Sequence, residues 1–327
     1  MEKKNKVYII DVTNRDGVQT SRLGLAKLQK TMINIYLNEM GIYQSEFGFP
    51  FTNHEINYLK ANMELAKMGV LKPIILSGWC RPLINDIKKA LEIGIEHINI
   101  SISTSQQMVK GKFQGRVVRT PKEDPSKPSI IGMTVESVRF ARENGIKTIG
   151  VNAEDASRTD DDFLIEFATS VKEAGADRIR YCDTLGYDDP FTIYNRIYKL
   201  AKEVKIPIEM HCHNDLGMAV ACSVAGAKAA IDAGVDAYIN TTINGMGERA
   251  GNADLVSIIL ALKKSSGFEK LNLLDERVDL SKAWKIAKYA SYAFGVPIPI
   301  NQPGVGENAF AHESGIHADG ALKDRRN

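Results

Sequence analysis

The chain lacks the features that mark several classes of protein. Its 327 residues include only four cysteines, and none is spaced as C-x-x-C, so we expect reduced thiols rather than a disulfide scaffold. No apolar run approaches the roughly 18–20 residues of a membrane span, and the charged first residues do not resemble a signal peptide. We therefore expect a cytoplasmic protein with no membrane partner.

The chain also has no large excess of positive or negative charge. The formal net charge is only +2, which provides neither a nucleic-acid surface nor an acidic tail. What is present is ordinary for a globular protein, with 44% hydrophobic and 25% charged residues. At this length, two average domains and one large α/β barrel are equally natural.

A repeat of helix, glycine and β-rich run organises most of the chain. Apolar strands that alternate with helices favour a parallel sheet, and eight such units predict a (β/α)8 TIM barrel. An open doubly wound sheet is the alternative, which the lack of G-x-G-x-x-G after the first strand disfavours. The eight predicted strands are Val7–Thr13, Tyr43–Gly48, Pro73–Gly78, His97–Ser103, Lys147–Ala153, Arg178–Thr184, Pro207–His213 and Ala237–Ile243.

The barrel is predicted to occupy residues 1–270, and residues 271–327 to form a C-terminal helix, a linker and the start of a subdomain. The helix is predicted over Asn272–Ala293 and the proline-rich linker over Pro297–Gly304. After the fourth strand, the basic insertion Gly111–Gly132 is predicted to be a long loop on the catalytic side. It is either a plain surface loop, or a lid or a contact for a phosphorylated substrate.

The stretch from Ile208 to Asp215, IEMHCHND, carries the clearest chemical signal. Alternate side chains of a strand share a face, so Glu209, His211 and His213 are expected to point the same way. Two imidazoles placed like this can bind one divalent cation. The alternative interpretation is that each histidine satisfies a local hydrogen bond.

Polar residues follow nearly every predicted strand, at the end where barrel enzymes carry their active sites. We predict a metal held by Asp16, His211 and His213, with Asn252 or water completing the site. Such nitrogen and oxygen ligands suit Mn²⁺, Zn²⁺ or Mg²⁺, and Arg15 would stabilise developing oxyanion charge. Two histidines and a carboxylate also describe non-haem iron oxygenases, but the many other charged groups favour carbonyl chemistry.

Three motifs in order resemble the DRE-TIM metallolyases. They are D-x-T-x-R-D-G-x-Q from Asp11, H-x-H-N-D from His211 and N-G-x-G-E-R-x-G-N from Asn244. Within that superfamily the chain resembles the condensing branch of 2-isopropylmalate, citramalate and homocitrate synthases. The resemblance implies a metal-dependent Claisen condensation, in which the enolate of acetyl-CoA attacks a 2-oxo acid and the thioester is then hydrolysed.

The resemblance also implies roles for individual residues. Asp16, His211, His213 and Asn252 match the family's metal ligands, and Arg15 matches its carbonyl-polarising arginine. His317 matches a histidine that family dimers lend to the neighbouring subunit, which implies a homodimer. Further active-site positions are matched by Glu154, Glu209 and Glu248 as catalytic groups and by Gln19 and Thr184 as substrate contacts.

The segment from Glu154 to Arg158 resembles the homocitrate-synthase segment whose arginine binds the distal carboxylate of 2-oxoglutarate. The alternative for Arg158 is a surface pair with Asp155 or Asp160. The resemblance favours a homocitrate synthase, although Ser77 stands where some of these enzymes have histidine. A Re-face citrate synthase that uses oxaloacetate is the main alternative. An isopropylmalate or citramalate synthase and a non-catalytic, metabolite-binding barrel are the others.

Overall fold

The computed structural model describes residues 5–113 and 127–324. Eight parallel strands there form one closed barrel in sequential order, in which the last strand pairs with the first. The predicted TIM barrel is thereby confirmed. The strands are β1 (Val7–Asp11), β2 (Gln44–Gly48), β3 (Ile75–Cys80), β4 (His97–Ser103), β5 (Thr148–Glu154), β6 (Arg178–Asp183), β7 (Ile208–Cys212) and β8 (Ala237–Thr241).

All eight predicted strands overlap observed ones, and the differences lie at their ends. β1 stops earlier than predicted because the chain turns at once: the backbone N–H groups of Arg15 and Asp16 both donate to the carbonyl of Val12. This turn holds Asp16 at the carboxyl end of the barrel. β5, in contrast, extends one residue further than predicted and includes Glu154.

Helices connect the strands and cover the outside of the barrel. α6 shows the local reasons for their bounds, because the Asp160 side chain accepts a hydrogen bond from the N–H of Phe163 at its start. Gly175 ends it at a φ of 111°. The helices are α1 (Lys27–Glu39), α2 (Ile56–Lys67), α3 (Ile84–Ile93), α4 (Gln106–Phe113), α5 (Lys127–Glu143), α6 (Asp161–Ala174), α7 (Pro190–Val204), α8 (Ala219–Ala233), α9 (Leu255–Lys264), α10 (Ala283–Phe294) and α11 (Gly315–Lys323).

The apolar core lies between strands and helices, whereas the barrel interior is polar. On β7, Met210 points outward and packs against Gly226 of α8. A Cβ atom added at Gly226 would lie only 2.4 Å from the methyl group of Met210. Glu209 and His211 alternate with it and point inward, as the strand period requires. The same alternation puts Arg178 and Arg180 inside the barrel on β6.

Two predictions outside the barrel were wrong in their extent. The helix predicted over Asn272–Ala293 begins only at Ala283. The preceding segment instead runs beside β1, where Leu273 and Asp275 exchange backbone hydrogen bonds with Val7. Those bonds satisfy the backbone groups of the first barrel strand, which a helix in this position would leave unpaired.

The insertion Gly111–Gly132 is likewise not a loop throughout. Gly111–Phe113 completes α4 and Lys127–Gly132 begins α5, while residues 114–126 lie outside the described part of the chain. A domain boundary at residue 270 stays a prediction. No helix in the described ranges combines the length and apolar character that crossing a membrane would require.

Candidate active site

Three possible metal ligands meet in a cavity of about 420 Å³ that opens at the carboxyl ends of the strands. Asp16 follows β1, His211 lies on β7, and His213 follows β7. The Nε2 atoms of His211 and His213 lie 3.6 Å and 3.7 Å from Oδ2 of Asp16. Ligand atoms about 2.0–2.2 Å from one ion are separated by roughly this distance. All three residues are buried, with candidate ligand atoms within 4.8 Å of one another.

The donor atoms at this position also lack other partners. Oδ2 of Asp16 and Oδ1 of Asn252 are buried, and neither has a hydrogen-bond partner among the described residues. Asn252 is held beside the ligands by a backbone bridge to His213. Buried acceptors without partners are costly, and a cation would satisfy both. The residues therefore fit a divalent metal with mixed oxygen and nitrogen ligands.

The protonation of His211 is set by its neighbours. The side-chain amide of Asn240 donates to Oε1 of Glu209 at 2.7 Å, so its oxygen faces Nδ1 of His211 at 3.1 Å. That oxygen can only accept, which assigns the proton to Nδ1 and leaves the lone pair on Nε2 toward Asp16. Burial lowers the pKa of His211 and also that of His213, which favours the neutral imidazoles that bind metals.

A chain of buried ion pairs fills the barrel beside this site. The fully buried Arg180 guanidinium lies 2.7 Å from Glu46 and 2.6 Å from Glu209. Arg178 also pairs with Glu209 at 2.6 Å, and Arg15 with Glu46 at 2.5 Å. Burial acts to raise the pKa of Glu46, but the adjacent Arg180 and Arg15 outweigh it and lower that pKa. Each buried charge is thus compensated by an opposite one, as a stable interior requires.

Arg15 links this buried chain to the cavity. Its Nε atom pairs with Glu46, and its Nη1 atom lies 3.2 Å from Oδ1 of Asp16. Burial acts to raise the pKa of Asp16, but the adjacent Arg15 guanidinium opposes it and the net shift is downward. The carboxylate is therefore ionised, as a metal ligand must be. The guanidinium is thus fixed beside the candidate ligand Asp16, in the lining of the cavity.

The structure brings most of the predicted site residues to one cavity. Glu209 is an exception, because it is fully buried in the ion-pair chain and does not line the cavity. The predicted residues that line it are Arg15, Asp16, Gln19, Glu154, Thr184, His211, His213 and Glu248.

Arg158, predicted to bind substrate, does not line the cavity. Its Nε atom lies 3.0 Å and 3.1 Å from the two carboxylate oxygens of Asp155, and its Nη2 atom lies 2.6 Å from one of them. Asp155 is fully buried at a φ of +61°, and its backbone N–H donates to the Thr184 hydroxyl. Arg158 therefore forms the alternative pair with Asp155, and this pair engages its guanidinium group.

His317 lies on α11 and is exposed. Its ring centroid is 6.3 Å from that of His312, and the cavity is lined by other residues. The prediction that it completes the site of a second subunit concerns a partner chain, and it stays a prediction.

Several lining residues were missed from the sequence. Ser101 on β4 is in register with Asn152 on β5, and both line the cavity. The strand period alone would have found Asn152, because it lies two residues before Glu154 and therefore shares its face. Lys112 near the end of α4 pairs with Glu154, whose other oxygen accepts a hydrogen bond from Ser103 at 2.8 Å. Lys112 lies in the basic insertion, for which contact with substrate was one of the predicted roles, but the sequence did not single it out within that insertion.

The fold and the site together define a class: a TIM barrel with a candidate metal site of one aspartate and two histidines at the carboxyl ends of its strands. The model of the family described as HMGL-like matches residues 6–289, and the chain belongs to this family, in the condensing branch of the DRE-TIM metallolyases.

Named relatives agree with this membership, and a solved structure shares the fold. The chain is 61% identical to the citrate (Re)-synthase of Dehalococcoides mccartyi, over 98% of this chain and 76% of that protein. It is 42% identical to 2-isopropylmalate synthase 2 of Caldanaerobacter subterraneus, over 98% and 77%. It is 36% identical to homocitrate synthase 1 of Nostoc sp., over 98% and 78%. The HMG-CoA lyase structure of Bacillus subtilis shares the fold, with a TM-score of 0.71 and 20% identity over 91% of this chain and 97% of that one.

Proposed function

We propose that the protein condenses acetyl-CoA with oxaloacetate and hydrolyses the thioester, as a Re-face citrate synthase. The observation that carries this proposal is the much higher identity to a citrate (Re)-synthase than to a homocitrate synthase. The sequence motifs alone favoured 2-oxoglutarate as the acceptor. Identity along the whole chain favours oxaloacetate, which was the alternative.

The metal would be held by Asp16, His211 and His213, with Asn252 beside them. A bound divalent ion supplies Lewis-acid polarisation of a carbonyl group. The chain's own contribution is a preformed set of ligands: an ionised carboxylate and two neutral imidazoles, one of them locked in the tautomer that presents Nε2. Mn²⁺, Mg²⁺ and Zn²⁺ are all compatible with this donor set.

Arg15 would stabilise the charge that develops on the acceptor's keto oxygen. Its guanidinium is already aimed by Glu46 and Asp16, so little reorganisation is needed as the charge grows. Glu154 and Glu248 are the carboxylates in the lining that can take the methyl proton of acetyl-CoA. The resulting enolate carbon bonds to the keto carbon, and water then cleaves the thioester to release the CoA thiol.

The decisive assay measures release of the CoA thiol from acetyl-CoA with oxaloacetate, 2-oxoglutarate, 2-oxoisovalerate and pyruvate in parallel. We expect the highest kcat/KM with oxaloacetate. Citrate made from labelled acetyl-CoA and cleaved by a Si-type citrate lyase should retain its label in the oxaloacetate fragment. A preference for 2-oxoglutarate would instead establish homocitrate synthesis. A preference for 2-oxoisovalerate would establish isopropylmalate synthesis, and binding without thiol release would indicate a non-catalytic barrel.

A further inference from the structure

The cavity has to provide a cation for the far end of a dicarboxylate. One carboxylate of a 2-oxo acid lies next to its carbonyl and so belongs with the metal, which leaves the distal carboxylate to be paired elsewhere. An unpaired anion in a partly closed pocket is strongly disfavoured. Arg158, which the sequence suggested, is occupied by Asp155. Among the described residues, the cationic side chains that line the cavity are Arg15, Lys112 and Arg249.

Arg15 and Arg249 each bind more than one other group of the chain. Arg15 is nearly buried and bridges Glu46 and Asp16, so it serves the metal end of the cavity. Arg249 binds both oxygens of Asp215, at 2.8 Å and 3.1 Å, and also donates to the carbonyl oxygen of Thr184. Both guanidinium groups are therefore held in fixed orientations by groups of the chain itself, and that of Arg15 is already assigned to the keto oxygen.

Lys112 differs from both arginines. Its side chain is 40% exposed, and its ion-pair partner within the described residues is the Glu154 carboxylate. An ammonium group has three hydrogens to donate, so Lys112 can bind a second carboxylate while it keeps Glu154. Its attachment near the end of α4 also places the charge on the wall formed by β4 and β5, away from the ligands on β7.

The wall around Lys112 is polar, as a charged occupant requires. Asn152 precedes Glu154 by two residues on the same face of β5 and is only 2% exposed. Its Oδ1 atom has no hydrogen-bond partner among the residues that the structure describes. Buried acceptors are normally hydrogen-bonded. The free hydrogens of the Lys112 ammonium group could supply the donor that Asn152 Oδ1 lacks.

We propose that Lys112 is the specificity-determining cation that pairs with the distal carboxylate of the 2-oxo dicarboxylate, in place of Arg158. The identity of that substrate rests on the function proposed above. The ammonium group binds Glu154 in the free protein and both carboxylates in the complex. A monocarboxylate of the same length has no second carboxylate for Lys112 to bind, so the lysine stays paired with Glu154 alone and adds nothing to the affinity.

The test is Lys112→Gln, with Lys110→Gln as the matched control, because Lys110 is an exposed lysine on the same helix that does not line the cavity. Steady-state kinetics compare oxaloacetate with 2-oxobutyrate, in which a methyl group replaces the distal carboxylate. Calorimetry on the Mn²⁺-loaded protein without acetyl-CoA compares L-malate with 2-hydroxybutyrate. Lys112→Arg tests rescue by another cation, and circular dichroism verifies folding of each variant.

For Lys112→Gln we expect kcat/KM for oxaloacetate and the affinity for L-malate to fall by about 10–100-fold. These values should fall by about 10-fold or more relative to those for the two monocarboxylates, because any effect that Lys112 exerts through Glu154 is common to both classes of acid. Lys110→Gln should match the wild type, and Lys112→Arg should recover part of the loss. An equal loss on both classes of acid would overturn the proposal. So would a dicarboxylate-selective loss in Arg158→Ala combined with none in Lys112→Gln. If the wild type released no CoA with any 2-oxo acid, the proposed function would fail, whereas the L-malate titration would still decide the role of Lys112.

Discussion

Nδ1 of His211 lies 3.1 Å from Oδ1 of Asn240, whose amide nitrogen is held by Glu209. This contact connects the ion-pair chain inside the barrel to the candidate metal site. It gives Glu209 a role that does not require contact with substrate. Glu209 orients Asn240, and Asn240 orients the imidazole.

The first prediction follows from this contact. Asn240→Ala should weaken metal binding by about 10–100-fold, because the ring loses the acceptor that fixes its tautomer and orientation. Competition with a chelating dye, without substrate present, measures the affinity. Asn99→Ala is the control, since Asn99 is also a buried amide that donates to a carboxylate, Glu46, at 2.6 Å. Equal losses in both variants would argue against a specific role for Asn240.

The second prediction concerns the ligands themselves. His213→Ala should lose bound metal and activity together, because the imidazole supplies one of the three converging donor atoms. Metal content by mass spectrometry and thiol release, measured on the same preparation, test this. His97→Ala is the control, because that histidine lies at the opposite end of β4 and contacts Thr148. Full activity of metal-stripped wild-type protein in the presence of chelator would contradict the assignment.

The third prediction concerns the pH dependence of stability. Burial raises the pKa of Asp11 from 3.8 to about 7. A raised folded-state pKa means that the group stabilises the fold at low pH and that this contribution is lost as pH rises toward 7. Asp11→Asn removes the titration while keeping an oxygen to accept from the Thr13 N–H.

The free energy of unfolding of Asp11→Asn, relative to wild type, should therefore increase by about 2–3 kcal/mol between about pH 5 and pH 8. Urea unfolding at several pH values gives this difference. Asp162→Asn, at a side chain that is 90% exposed, should show no such trend. A constant difference between Asp11→Asn and wild type would mean that Asp11 titrates normally.

The fourth prediction concerns the buried ion pairs. Arg180→Met should lower the free energy of unfolding by about 3–5 kcal/mol, because Glu46 and Glu209 would lose their shared buried cation. Replacing both carboxylates with glutamine in the same chain should recover part of this loss. Lys228→Met breaks a surface pair with Asp232 and should cost at most about 1 kcal/mol. A small effect of Arg180→Met would show that water reaches the two carboxylates.

The fifth prediction keeps the expectation of a site shared between two subunits. His317→Ala and His211→Ala proteins, each inactive alone, should regain part of the activity when mixed. Recovery requires that one mixed site receives both intact histidines. Native mass spectrometry verifies that subunits have exchanged. Absence of recovery after exchange would remove His317 from the site.

Much of this protein was already determined by its sequence. The barrel could be predicted because short stretches of sequence mark each strand and helix, by the periodicity of their hydrophobic residues and by the residues that end them. The convergence of the candidate ligands His211 and His213 could be predicted because a strand places residues two apart on one face. Asp16 could be added because all carboxyl ends of the strands meet at one rim of a barrel.

Only the tertiary structure decided which charged groups reach the cavity. Glu209 shares a face with the two histidines, but it lies one step deeper, where Arg178 and Arg180 from the neighbouring strand surround it. Arg158 pairs with the buried Asp155, whose left-handed backbone conformation the sequence does not reveal. Lys112 is distant in sequence from every motif and reaches Glu154 only because β4 and β5 are neighbours. Pairing between charges depends on distances across the closed barrel, and local sequence patterns do not contain those distances.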